Sequence, residues 1–301
     1  MGKMGETRLQ ELNDLPLASA LPPSGAVSGF VFAVGQVLSH RELVGLLVAR
    51  ELKSRYKDSA LGFIWSLIKP LMQLLIYYVA IGKFLGAERG IPLFAIFIFA
   101  GLTVWGLFSE VVSSTTSSII WNSGLVKKVA LPREIFAVSV VGSAGFNFLI
   151  QLSILLLATI ALGTFPLSPS LILVPLATGV TVVLALAVGL ALSALNVYFR
   201  DIQHLVEVLL MVLFWLSPVV YSYTFVHATL GGSWLEKLYL ANPMTLVVLA
   251  FQKALWTPGA DSLWPSYLSI RLCIWGAVGL LLLWASQRVF AKLQGNFAQE
   301  L

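Results

Sequence analysis

Charge is scarce in this sequence. Lys, Arg, Asp and Glu make up 11% of its 301 residues, under half the quarter or so usual in soluble domains. With 58% hydrophobic residues and a mean hydropathy of +0.89, such a chain cannot clothe a globular core in polar surface. A soluble fold is excluded, and an all-α multi-pass membrane protein is expected. Cysteine is nearly absent: Cys273 stands alone, which excludes an intrachain disulfide and a paired-cysteine metal site. His40, His204 and His227 are scattered without metal-ligand spacing. There is no GxxxxGK[ST] phosphate loop and no HExxH, so no catalytic residue, cofactor or metal is assigned to the chain. No basic stripe alternates with aromatics, which argues against a nucleic-acid partner.

What is present is a series of apolar runs of about 20 residues, the length a bilayer requires. They cover Leu61–Phe84, Ile91–Val112, Ile135–Leu162, Leu171–Val197, Leu205–Tyr221 and Leu263–Phe290. Six spans place both termini on one side. The segments on that side carry Arg50, Lys53, Arg55, Lys57, Lys127, Lys128, Arg133, Arg200, Arg288 and Lys292, against Lys83, Arg89, Lys237, Lys253 and Arg271 opposite. The bias makes the basic side cytoplasmic. Met1 to about Gly25 is polar, contains Pro22-Pro23 and reads as a flexible tail. The apolar piece after it, Ala26–Leu38, is too short to cross and ends in no cleavage-type site. Residues 1–38 are therefore a cytoplasmic tail and 59–301 the transmembrane domain. Residues 39–58 between them are an amphipathic helix lying in the cytoplasmic membrane interface, or else an ordinary solvated one, with Leu43, Val44, Leu47 and Val48 on one side and a capping box at Ser39 and Glu42. Between the fifth and sixth spans, Asn242–Trp256 is apolar but short, which suits a re-entrant or interfacial element on the outer face.

Polar residues inside these runs are costly and so informative. Trp65, Lys69, Gln73 and Tyr77 recur every four residues along one face of the first span, with Pro70 bending the helix beside Lys69. Either Lys69 snorkels to the inner headgroups or it points into a hydrated pathway. Ser139, Ser143, Asn147 and Gln151 form a second stripe, suited to bonding across helices or to lining a path. Ala185, Gly189 and Ser193 mark close helix packing. Glu110 and Glu207 fall near the inner ends of their spans, where their cost is lower. Ser113–Ser118, "SSTTSS", lacks a partner base and reads as a small-residue packing surface. Most aromatics suit interfacial belts or packing; Tyr77 and Trp215, on polar faces, are the candidates to stack on a sugar instead.

Four stretches then form a joint pattern: "ELKSRYKDSALGFIWSLIKPL" (Glu51–Leu71), "NSGLVKKVALPREIF" (Asn122–Phe136), "VYFRDIQHLVEVLLMVLFWLSPVVY" (Val197–Tyr221) and "NPM" (Asn242–Met244). In order and spacing they resemble the ABC-2 transporter permeases, specifically the branch that exports O-antigen, teichoic acid or lipid-linked cell-wall galactan. The resemblance runs from about Ser39 to the C-terminus. It implies a permease in the bacterial plasma membrane that works as a homodimer with two copies of a separate ATPase subunit. ATP and Mg would sit on that subunit and a lipid-linked glycan, galactan as first expectation, would be the substrate. It also implies that Asn122, Lys127, Lys128, Pro132, Arg133 and Glu134 dock on the ATPase, with Arg200 and Asp201 as a second contact. Lys69, Gln73, Tyr77 and Trp215 become the substrate-pathway candidates. Relatives often carry an arginine after "NP"; Gln252-Lys253 stands here instead. Exporters of a small lipid or drug, a membrane-embedded polyprenyl-lipid enzyme and a gated channel are the competing functions.

Overall fold

The computed structural model describes residues 25–56, 64–129 and 131–301, which form helices joined by turns and loops, with no strand among them. The tail over 1–24 and the link over 57–63 fall outside the described residues. α1 (Ala26–Ser39) and α2 (Arg41–Tyr56) meet at a 66° bend. α3 (Trp65–Tyr77) passes through Pro70 and continues as a π-helical stretch, Tyr78–Phe84. α4 (Phe94–Trp121), α6 (Glu134–Ala161), α7 (Leu173–Tyr198) and α12 (Leu268–Leu293) are the long helices. α5 (Ser123–Lys128) links α4 to α6. α8 (Ile202–Trp215) is followed by the short α9 (Tyr223–Leu230), α10 (Trp234–Ala241) and α11 (Pro243–Leu255), and α13 (Phe297–Glu300) closes the chain. Five stretches are long and apolar enough to cross a bilayer, up to seven if each bent pair counts as one.

α4 is the axis of the bundle. Of its most apolar stretch 78% is buried, against 6% for the α3 span. It packs on α7, α6, α11 and α8, while α12 covers the other side of α7. Lipid supplies no hydrophobic force between helices, so close approach and polar contacts must hold them. Gly189 of α7 lies against Thr115 of α4, where a Cβ would come within 2.8 Å of the threonine Cβ. Ala185 and Ser193 on the same face are fully buried, as their spacing suggests. Asn196 ties three helices: its amide donates to the Thr116 carbonyl at 3.1 Å, and its oxygen accepts from the Gln203 backbone N–H at 3.3 Å. A second, smaller core at the basic end gathers Leu47 of α2, Val126 of α5, Ile135 and Phe136 of α6, Phe290 of α12 and Phe297 of α13.

Several expectations shift. Residues 26–38, counted with the tail, are mostly helix. α1 buries Ala33 and leaves Val27, Val31 and Leu38 exposed, so it is apolar on more than one side. The Ser39–Glu42 capping box does not form, because Ser39 ends α1 and donates to the Gln36 carbonyl at 2.8 Å. The second span runs past Val112 to Trp121: Thr116 and Ser118 donate back to Val112 and Thr115 carbonyls at 2.8 Å, so the hydroxyl run is satisfied as helix. The fifth stops at Trp215, ahead of Pro218, and is too short to cross as a helix alone.

Candidate functional site

A cavity of about 800 Å³ lies at the basic end, walled by four helices. α2 contributes Arg50, Glu51 and Ser54, and α3 contributes Lys69. From α4 come Glu110, Ser113, Ser114 and Ser118, with Trp121 and Asn122 at its end; α6 adds Ser139 and Val140. Helical periodicity does the sorting within "SSTTSS". Thr115 and Thr116 turn inward and are fully buried, whereas the partly exposed Ser113 and Ser114 turn to the cavity; Ser118 also borders it but is buried and donates to the Thr115 carbonyl. Because α4 overruns its expected end, Glu110 sits about 16 Å from Trp121 at 1.5 Å per residue, deep rather than interfacial. Asn147 donates to one of its oxygens at 2.9 Å. Ser139 and Ser143 of the same stripe are buried and bond their own helix.

The four pathway candidates divide in two. Lys69 is in the cavity wall, and Gln73, one turn further, is exposed. Tyr77 is half-buried and stacks on Phe214 of α8, ring centroids 5.7 Å apart at 24°. Trp105 and Trp215 meet the same ring edge-on at 5.6 and 5.5 Å. An aromatic collar therefore stands some 12 Å beyond Lys69 along α3. Trp215 is 54% exposed, and Leu71, Met72, Leu75, Ile76, Val208 and Met211 are exposed beside it on α3 and α8. Among the described residues nothing covers this large apolar face.

The basic loop residues are placed by the second core. Asn122 ends α4 and precedes α5; its amide donates to the Ser118 carbonyl at 2.8 Å and its oxygen accepts from the Arg50 guanidinium. Lys127 and Lys128 are exposed on the last turn of α5, while Val126 beside them is buried. After Pro132, Arg133 lies over the Phe297 ring at 5.4 Å. Burial lowers the Arg133 pKa, and neighbouring Glu134 works against that. Glu134 opens α6, is buried, and accepts from Gln287 at 3.2 Å. Arg200 and Asp201 are exposed in the turn between α7 and α8. At the far end Glu236 accepts from Tyr223 at 2.6 Å and the Gly232 N–H at 3.0 Å and meets His227 Nδ1 at 2.6 Å, locking α9 to α10. Gln252 is fully buried and donates to the Pro218 carbonyl at 2.8 Å. Among the described residues no group of His, Cys, Asp and Glu is arranged to hold a metal.

Sequence reasoning missed the serines of α4, the depth of Glu110, and Arg50 as a wall residue. The available signal was the spacing of Glu110, Ser113, Ser114 and Ser118, which puts them on one helical face once α4 is extended.

The profile of the family described as ABC-2 type transporter matches residues 42–256. An O-antigen export system permease protein, RfbA, of Myxococcus xanthus is 32% identical over 269 residues, spanning 89% of this chain and 98% of its own. A protein of the same description from Klebsiella pneumoniae is 27% identical over 260 residues, 86% of this chain and 95% of its own. The polysialic acid transport protein KpsM of Escherichia coli is 23% identical over 242 residues, 79% and 91% respectively.

Proposed function

The chain belongs to the ABC-2 type transporter family, and from that premise we propose that it is the permease of a polysaccharide exporter driven by a separate ATPase subunit. The observation that carries this reading is the cavity of about 800 Å³ at the basic end, which is lined by Lys69 of α3 and by the loop residue Asn122. Serine hydroxyls, a carboxamide and charged groups suit the hydroxyl-rich chemistry of a sugar chain. Flat rings beyond them suit its apolar faces. The substrate is a lipid-linked glycan, with galactan the first candidate. The permease crosses the plasma membrane six times, termini inside, with the basic end cytoplasmic. Two copies pair through the exposed faces of α3 and α8, so that Lys69, Gln73, Tyr77 and Trp215 face a shared path. Two ATPase subunits, carrying ATP and Mg, dock on α5 and its flanks from Asn122 to Glu134, with Arg200 and Asp201 as a further contact.

Co-purification of the chain with any ABC ATPase encoded beside it, and reconstitution in vesicles loaded with lipid-linked glycans, tests the proposal. ATP-dependent transfer of the glycan across the bilayer is the expected result. A chain that co-purifies with no ATPase, or a complex that hydrolyses ATP without moving any glycan, overturns it.

A further inference from the structure

The two segments given to the ATPase, Asn122–Glu134 and Arg200–Asp201, lie far apart in sequence, yet one side chain stands between them. Past α12, a 3-10 turn over Gln294–Asn296 leads into α13, which packs on both α5 and α7. Its first residue, Phe297, is fully buried. Arg133, at the start of α6, holds its guanidinium 5.4 Å from the centre of that ring. Tyr198, the last residue of α7, meets the ring edge-on, centroids 6.3 Å apart at 65°. The Tyr198 hydroxyl donates to the Leu293 carbonyl of α12 at 2.9 Å. Phe290 of α12 meets the ring at 5.4 Å and 85°. A ring touched from three helices in a close-packed core is held in one place. Arg133 belongs to the first docking segment, and Arg200 follows Tyr198 by two residues.

We infer that Phe297 is a positioning residue: it fixes the spacing of the two cytoplasmic contacts, so that one ATPase subunit grips both as a single rigid site. The inference rests on the docking reading above. Two contacts held at the right separation act as a bivalent grip, in which the second forms at high effective concentration once the first is made. When the separation loosens, that gain falls, although no docking side chain has changed. Interface residues have to be held to within about 0.5 Å by the packing behind them. The flat ring also attracts the Arg133 guanidinium, which an aliphatic side chain of the same burial does not.

Phe297→Leu tests this, because it keeps an apolar side chain in the core and removes the ring. In a Cys273→Ser background of the full chain, spin labels at Lys128 and Arg200 report the spacing by dipolar spectroscopy, with labelled copies diluted among unlabelled ones. The parent is expected to give one narrow distance and Phe297→Leu a broadened one. In the unlabelled chain, the Kd for the co-purifying ATPase rises about tenfold in Phe297→Leu, and Phe297→Tyr, which keeps the ring, restores most of the affinity. Tyr198→Phe loses only its hydroxyl bond to Leu293 and shifts both readings the same way by less. A distance as narrow in Phe297→Leu as in the parent overturns the inference and leaves the docking reading standing. So does an unchanged Kd. Should Phe297→Leu fail to fold, Tyr198→Phe carries both measurements, and no change in either overturns the inference. An ATPase that does not bind the parent removes the docking reading and the inference together.

Discussion

Tyr77 combines two tasks in one side chain. Its ring stacks on Phe214, and the proposed path gives its hydroxyl to a sugar. An aromatic pair contributes about 0.5–1.5 kcal/mol beyond area burial, so Tyr77→Ala confounds folding with transport. Tyr77→Phe separates them: the stack and the melting temperature are kept, and export per folded complex falls. Gln73 is exposed, so Gln73→Ala should move stability by no more than about 0.5 kcal/mol while also lowering export. Normal export per folded complex in both variants removes α3 from the path. Glu236 makes a different forecast, because its carboxylate is buried and satisfies three donors at the far end. Glu236→Ala strands the Tyr223 hydroxyl and the Gly232 N–H and costs about 1–3 kcal/mol, read as a lower melting temperature of the purified complex. An unchanged melt shows that the hairpin of α9 and α10 is held by packing alone.

At the scale of elements, α5 is the segment whose charges are easiest to reverse without unfolding anything. Lys127 and Lys128 are exposed, so the double variant Lys127→Glu and Lys128→Glu should leave the melting temperature in place and weaken recovery of the ATPase in pull-downs. A double variant that binds the ATPase and exports as the parent does ends the docking assignment. Arg133→Glu belongs in a separate experiment, since it also removes the cation from the Phe297 ring. Elements of this kind were largely legible. Long apolar runs and small-residue spacing foretold α4, α6, α7 and α12 because lipid leaves a spanning backbone no alternative to helix. Of the polar stripe of α3, Lys69 borders the cavity, while Gln73 and Tyr77 do not line it. Boundaries were less legible. Hydropathy falls at "SSTTSS", but the hydroxyls bond to the preceding turn and keep α4 going. That error hid both the serine wall and the depth of Glu110. α8 erred in the opposite direction: hydropathy carries on through Pro218, while the helix stops at Trp215.

For the whole molecule the first question is orientation. In a Cys273→Ser background, a cysteine at Lys128 should label only from the cytoplasmic side and one at Asp261 only from outside. The reverse pattern inverts the topology. Both residues are exposed, so neither substitution disturbs packing. The same frame gives α11 a significance in time. Its 13 residues span only about 20 Å, and it meets α10 at 79°. Almost every side chain on it is buried, with Gln252 and Asn242 bonded to the turn that follows α8. Such a segment cannot wait alone in hydrocarbon, where its open ends would have no hydrogen-bond partners. It has to enter a slot already lined by α4 and α7. Assembly therefore has an order: α4 and α7 must be paired before residues 243–255 can seat between them.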